Sequence, residues 1–144
     1  MTSFRQAILW ASMFCMAACG GDAAENNDAG SVTVKTLLTE PLADVPDREV
    51  RLLEVDFPPG ASSAAHHHPG QVIVHVTQGA VLSGLDGATP TRFTEGQSWT
   101  EKPGQIHSFS ANASETETAK LLVVLIAAPG APVLEPEPAP APKP

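Results

Sequence analysis

Basic residues are scarce in this chain. Among 144 residues, Lys and Arg total 8 against 16 Asp and Glu, for a formal net charge of −8. A nucleic-acid surface needs a basic patch, so this balance excludes nucleic acid as a partner. Cysteine is scarcer still, with only Cys15 and Cys19. Cys15 lies in an apolar leader, and its loss with that leader leaves one thiol and no intramolecular disulfide. Tyrosine is absent, aromatic residues make up 5 % and charged residues 17 %. No stretch after the leader reads as a convincing helix. The apolar run Ala7 to Ala18 is short for a bilayer span, which needs about 20 residues. What the chain does have is 14 prolines and 11 glycines. That suits a turn-rich β fold better than a helical bundle.

The first 18 residues read as a signal peptide, with Arg5 as the only charge before the apolar run. The run ends in Met16-Ala17-Ala18-Cys19-Gly20. Small residues directly before a cysteine resemble the lipobox of bacterial lipoproteins. The resemblance implies export, lipidation of Cys19 and, with Gly20 following, anchoring to the outer membrane on its periplasmic side. Residues 19–31 are acidic, polar and without apolar periodicity, and read as a flexible tether. Residues 32–128 read as one folded domain. Residues 129–144 alternate Pro with Ala and Glu and read as a solvated, disordered, PPII-like tail.

Within the domain, short β segments recur between turn signals. Val32 to Leu38 and Glu49 to Phe57 come first. The apolar phase of the second slips between Leu52 and Leu53, which calls for a bulge there or for partial cover on both faces. Gln71 to Thr77 alternates, with Val72, Val74 and Val76 on one face and Gln71, Ile73, His75 and Thr77 on the other. Ala80 to Leu85, Thr91 to Thr94, Ser98 to Glu101 and His107 to Asn112 follow. Ala119 to Ala128 is a continuous aliphatic run suited to a central strand buried on both faces. Evenly spaced short strands predict an all-β sandwich or barrel.

Histidine is the other rarity, and its five copies fall in two short motifs. His66 and His68 stand two apart, so on a strand they share a face and His67 takes the opposite one. Two imidazoles aimed into one cavity need partners for their nitrogens, and a metal ion provides them. His107, delivered by another strand after the Pro103-Gly104 turn, is the third candidate ligand.

The arrangement Gly60-x5-His66-x-His68-x3-Val72-x6-Gly79 resembles the first signature motif of the cupin superfamily. Gly96-x5-Lys102-x-Gly104-x2-His107, with Asn112 close by, resembles the second, and the 16 residues between Gly79 and Gly96 resemble the spacer of small single-domain bacterial cupins of the type-2 kind. The resemblance implies a double-stranded β-helix, or jelly-roll barrel, holding one divalent metal such as Fe, Zn, Mn, Ni or Cu. It places ligands at His66, His68, His107 and a glutamate at position 72. Here that position is Val72, and the longer family spacing lands on Ile73. Lys102 also replaces an expected proline, and Asn112 falls one residue late.

Without that glutamate, three neutral histidines would leave the metal its full charge and open positions. That composition suits zinc hydrolytic chemistry, and some cupin dioxygenases also hold iron with three histidines. Gln71 is the remaining candidate for a fourth ligand. A bulge after Pro69-Gly70 would turn its amide inward, whereas strict alternation leaves it on the surface opposite Val72. Glu101 is read as part of the turn beside the second motif, outside the pocket. Val72, Val74, Val76, Trp99 and Phe109 are expected to wall the pocket, with His67 and His75 outside the ligand set.

Two functions follow from this reading. One is an exported, metal-dependent cupin acting on a small molecule, dioxygenase-like or isomerase-like. The other is a non-catalytic module, with or without metal, that holds a small ligand in the barrel mouth. Small cupins often pair, so a homodimer is expected with either.

Overall fold

The computed structural model of the protein describes residues 30–138. The leader, Cys19 and nearly all of the tether lie outside the described residues. The described residues form strands and connecting turns, with no helix among them. The strands are β1 (Thr33–Pro41), β2 (Glu49–Phe57), β3 (Ser62–Ser63), β4 (His66–His67), β5 (Gln71–Gln78), β6 (Ala80–Leu85), β7 (Thr91–Thr94), β8 (Ser98–Glu101), β9 (Ile106–Asn112), β10 (Ala119–Ala127) and β11 (Glu135–Pro136).

They make two antiparallel sheets. One has the order β1-β2-β10-β5-β8, the other β11-β4-β9-β6-β7, with β3 paired to β9. Neighbours in space are distant in sequence, as expected of a jelly roll. The eight longer strands lie where the alternation and turn signals place them. The three two-residue strands carry too few side chains to show a period, and only the pairing reveals them.

The core is aliphatic. Leu53, Phe57, Val72, Val74, Val76, Val81, Leu121, Val123 and Leu125 are buried together. The aliphatic run of β10 is central, between β2 and β5, but it alternates buried and half-buried residues. Only one of its faces is in the core, so the expectation of burial on both faces is corrected. The phase slip in β2 has a related origin. Its pairing with β10 runs without interruption from Glu49 to Phe57, and the bulge sits in β1 at Leu37, between Thr36 and Leu38. Leu53 thus points into the core and Leu52 to the opposite, half-buried face of a regular strand.

Two packing points tie the barrel closed. Asn112 is buried, donates through Nδ2 to the Phe57 and Glu117 carbonyls at 2.9 and 2.7 Å, and accepts from the Ser114 N–H at 2.9 Å. It thereby joins the end of β2 to the turn that follows β9. Gly70 enters β5 against the end of β10, where an added Cβ would overlap the Ile126 carbonyl and the Ala127 side chain. A backbone obstruction cannot swing aside as a flexible side chain can. Gly70→Ala is therefore expected to lower stability by about 1–3 kcal/mol, read as a lower urea midpoint at constant m-value. An unchanged midpoint would show that the β5–β10 edge has room to spare.

Candidate metal centre

The site is built at one end of the core, where β4, β8 and β9 converge. His66 in β4 pairs directly with His107 in β9. His68 follows two residues on, where the chain leaves β4 for the Pro69-Gly70 turn. The three rings gather around a common point. The centroid of His66 is 5.0 Å from that of His68 and 5.1 Å from that of His107. One ring nitrogen from each can be chosen so that all three lie within 4.8 Å of one another.

Each ring is anchored by its other nitrogen. His66 donates its Nδ1–H to the Ala64 carbonyl at 2.7 Å, and His68 donates its Nδ1–H to the Val133 carbonyl at 2.6 Å. A carbonyl oxygen only accepts, so both Nδ1 atoms carry hydrogen and, in the neutral ring, both Nε2 atoms present a lone pair. His107 is held the other way round, with Nε2 2.9 Å from the Ser83 hydroxyl. Its Nδ1 faces the cluster. Such anchoring by a carbonyl or hydroxyl is how proteins orient metal-ligating imidazoles.

Glu101 completes the group. It lies at the end of β8, is 1 % exposed, and stands directly opposite Val72 in the β5–β8 ladder. Its Oε1 is 3.3 Å from His107 Nδ1 and accepts a hydrogen bond from Trp99 Nε1 at 3.0 Å. Its Oε2 is 3.5 Å from His68 Nε2 and has no hydrogen-bond partner. Two ligand atoms each about 2.1 Å from a metal, at tetrahedral or octahedral angles, stand roughly 3.0–3.4 Å apart. The Oε1-to-Nδ1 distance of 3.3 Å falls on that edge, and the Oε2-to-Nε2 distance of 3.5 Å lies just beyond it. A buried carboxylate oxygen without a partner, beside nitrogens that present lone pairs, is a group that a cation would satisfy.

The electrostatics agree. Burial, followed by the proximity of His66 and His68, lowers the pKa of His107 to about 4. Burial also lowers His66 and His68, against the opposing effect of their carbonyl partners. All three rings are therefore neutral near pH 7, the form that binds metal. For Glu101, burial raises the pKa, while the Trp99 hydrogen bond and His66 oppose it. The close His–Glu contacts are thus not ion pairs at neutral pH. Four desolvated groups that each resist charging would be satisfied together by one divalent ion.

An apolar cavity of about 80 Å³ opens onto these groups, with room for on the order of half a dozen waters. Val72, Val74 and Trp99 line it, joined by Leu53, Phe57 and Leu121. Val76 is fully buried in the core beyond it. Phe109 does not line the cavity and is 42 % exposed. The cause is a register shift in β9, where Gly84 pairs with Phe109 but Leu85 pairs with His107. The extra residue reverses the alternation, so His107, Ser110 and Asn112 point inward and Phe109 points out. Gln71 is not turned into the site either. Its Nε2 donates to the Glu101 carbonyl at 2.7 Å, bracing the strand that carries Glu101. His75 is exposed against Ser98, and His67 faces away toward the tail.

The residue that sequence reasoning missed is Glu101. The signal was available. Ser98 to Glu101 is a strand, and a strand that turns Trp99 inward turns Glu101 inward too.

The comparisons with known proteins bear on this geometry. A family described as "Cupin domain" (Cupin_2) matches residues 53–125. A search of curated proteins by sequence gave no match. Among solved structures, a cupin domain from Bordetella pertussis Tohama I is similar at 24 % identity and TM-score 0.52, over 68 % of this chain and 95 % of that one. A cupin-like protein from Thermotoga maritima is similar at 24 % identity and TM-score 0.54, over 69 % and 77 %. The polyketide cyclase RemF from Streptomyces resistomycificus is similar at 21 % identity and TM-score 0.57, over 76 % and 73 %. At these identities the likeness is one of fold. With half of its residues spanned by the family match and its strands in the corresponding two-sheet arrangement, the chain belongs to the cupin domain family.

Proposed function

We propose that the protein binds one divalent metal ion through His66, His68, His107 and Glu101 and acts on a small, largely apolar molecule in the adjoining cavity. The observation that carries this is the unpartnered Oε2 of Glu101, buried beside three imidazoles that are already anchored through their other nitrogens. When bound, a divalent ion supplies a Lewis-acidic centre that polarises an oxygen of the ligand. The remaining work belongs to the chain. Its aliphatic and aromatic wall excludes water and takes up the apolar body of the ligand. Ser63 and Ser110 face each other across β3 and β9 and line the same cavity, and Ser63 Oγ has no partner. They are suited to a second oxygen on the ligand. Dioxygenase-like or isomerase-like chemistry on such a molecule fits this site. RemF, a cyclase of similar fold, supports the idea that this architecture accepts small organic substrates.

A second reading has one observation in its favour. The three histidines and Glu101 are the only titratable groups lining the cavity among the described residues. If all four hold the metal, no separate general base remains. A ligand-holding module would need none. Oxygen consumption and product analysis with small phenols, thiols and keto acids separate the two readings, and tight binding without turnover across the panel would favour the module.

The lipobox-like Met16 to Cys19 supports export and a lipid anchor that holds the domain at the outer membrane through the acidic tether. The outer face of the first sheet supports self-association. Leu38, Leu52, Val124 and Ile73 are register partners in one row across four strands, and Leu38 and Ile73 are 46 % and 42 % exposed.

Glu101→Gln should weaken divalent-metal binding by more than about tenfold, the scale seen when a partner of a metal site is lost, as read by elemental analysis and chelator competition. Because Val72 and Glu101 are cross-strand partners, Val72→Glu in a Glu101→Val background should recover much of that affinity. Wild-type protein without metal under replete conditions, or equal affinity in Glu101→Gln, would defeat the proposal. Cys19→Ser should move the exported protein from the membrane fraction to the soluble periplasm, and unchanged fractionation would remove the lipid anchor. Light scattering of the unlipidated protein should give twice the chain mass, and Leu38→Glu/Ile73→Glu should halve it. A monomeric parent would overturn the dimer.

A further inference from the structure

The Pro-rich composition after β10 predicts a solvated tail, yet residues 131–137 lie across the barrel. Gly130, with φ of 74°, turns the chain back, and Ala131 N–H closes the turn on the Ala128 carbonyl at 3.1 Å. Arg51 Nη2 donates to the Ala131 carbonyl at 2.7 Å. Val133 packs against the core and, with Leu134, lines the cavity. β11 then pairs with β4, setting Glu135 opposite His67 and Pro136 opposite His66. Glu137 N–H donates to the Ala65 carbonyl at 3.0 Å. His67 stands between two carboxylates, 2.6 Å from Glu137 and 3.3 Å from Glu135. Proline is confined to sheet edges and breaks no ladder there. The composition therefore permits what it does not announce.

One contact in this set reaches the metal centre. The Val133 carbonyl is the acceptor that holds His68 Nδ1–H at 2.6 Å. We propose that Ala131 to Glu137 form a clasp belonging to the metal site, in which the Val133 carbonyl positions His68 with Nε2 turned to the metal, so that the clasp sets metal affinity. The inference rests on the metal-binding reading above. His66 provides an internal control. Its ring is fixed by Ala64, which lies outside the clasp. Loss of the clasp should free the ring of His68 and leave that of His66 in place.

The test compares the full chain with the same chain ended at Gly130. Zn²⁺ affinity is read by chelator competition, and the tautomers of His66 and His68 are read by nitrogen NMR on the metal-free proteins. The expected result is a 10- to 100-fold weaker Zn²⁺ affinity, the range for loss of a partner that orients a ligand. His68 should then exchange between tautomers while His66 keeps its Nδ1–H form. Affinity within twofold of the parent would overturn the proposal. If the full chain binds no Zn²⁺, the metal-binding reading fails, and the NMR comparison alone decides the clasp. An unchanged His68 in the shortened chain would then sink it. If the shortened chain does not fold, Glu135→Gln/Glu137→Gln decides. It removes both charged partners of His67 but keeps the segment. A loss of about two- to tenfold is expected, and affinity equal to the parent would overturn the proposal.

Discussion

A carboxyl group that is 1 % exposed needs compensation for the water it has lost. Glu101 has only part of it. Trp99 satisfies one oxygen, and the nearest other polar atoms belong to imidazoles that burial keeps neutral. Neutral rings cannot balance a carboxylate, and the fold leaves Oε2 bare. Much of the surrounding structure serves to hold that arrangement. The Gln71 amide braces the Glu101 carbonyl, Ser83 turns His107, Ala64 turns His66, and the tail turns His68. One divalent ion at its centre, as proposed above, would satisfy these groups together.

The carboxylate reaches this place by way of the sheet. In an antiparallel ladder, residues directly opposite one another have Cβ atoms about 4.5–5.5 Å apart and point to the same face. Val72 and Glu101 are such a pair. A ligand can therefore leave β5 for β8 and still aim at the same volume. The exchange has a consequence for the cavity. Position 72 becomes an aliphatic wall, and the acid gains a hydrogen-bond donor two residues away on its own strand, at Trp99. The family spacing locates a carboxylate by counting along the chain, whereas the site needs one at a point in space.

That distinction also explains what could be read from the sequence. Strand positions are legible because each longer strand is a β-rich run bounded by turn signals. The three histidines were legible because the motif spacing and the strand pairing agree, with His66 opposite His107. Glu101 required combining two strands. Phe109 was misplaced because a one-residue bulge in β9 is invisible to a count of two. The packing of Ala131 to Glu137 is not legible because composition speaks of average behaviour; residues 139–144 lie outside the described residues. A Pro-rich stretch lacks donors for a full ladder, but the clasp needs few. Its carbonyls at Ala131 and Val133 accept from Arg51 and His68, and the N–H groups it donates come from Ala131 and Glu137, where no proline stands.

With Glu101 in place, the chemistry differs from that of three bare histidines. A divalent ion held by three neutral nitrogens and one carboxylate keeps a net charge of about +1. It is a weaker Lewis acid than the three-histidine site that the motif alone suggests. The same carboxylate would then be committed to holding the metal and would not be free as a base. The cavity offers hydroxyls at Ser63 and Ser110 but no further titratable group among its described lining residues. Any proton that moves would therefore pass to the ligand itself or to a water. A ligand that needs no proton transfer, or that brings its own acid or base, suits this pocket best.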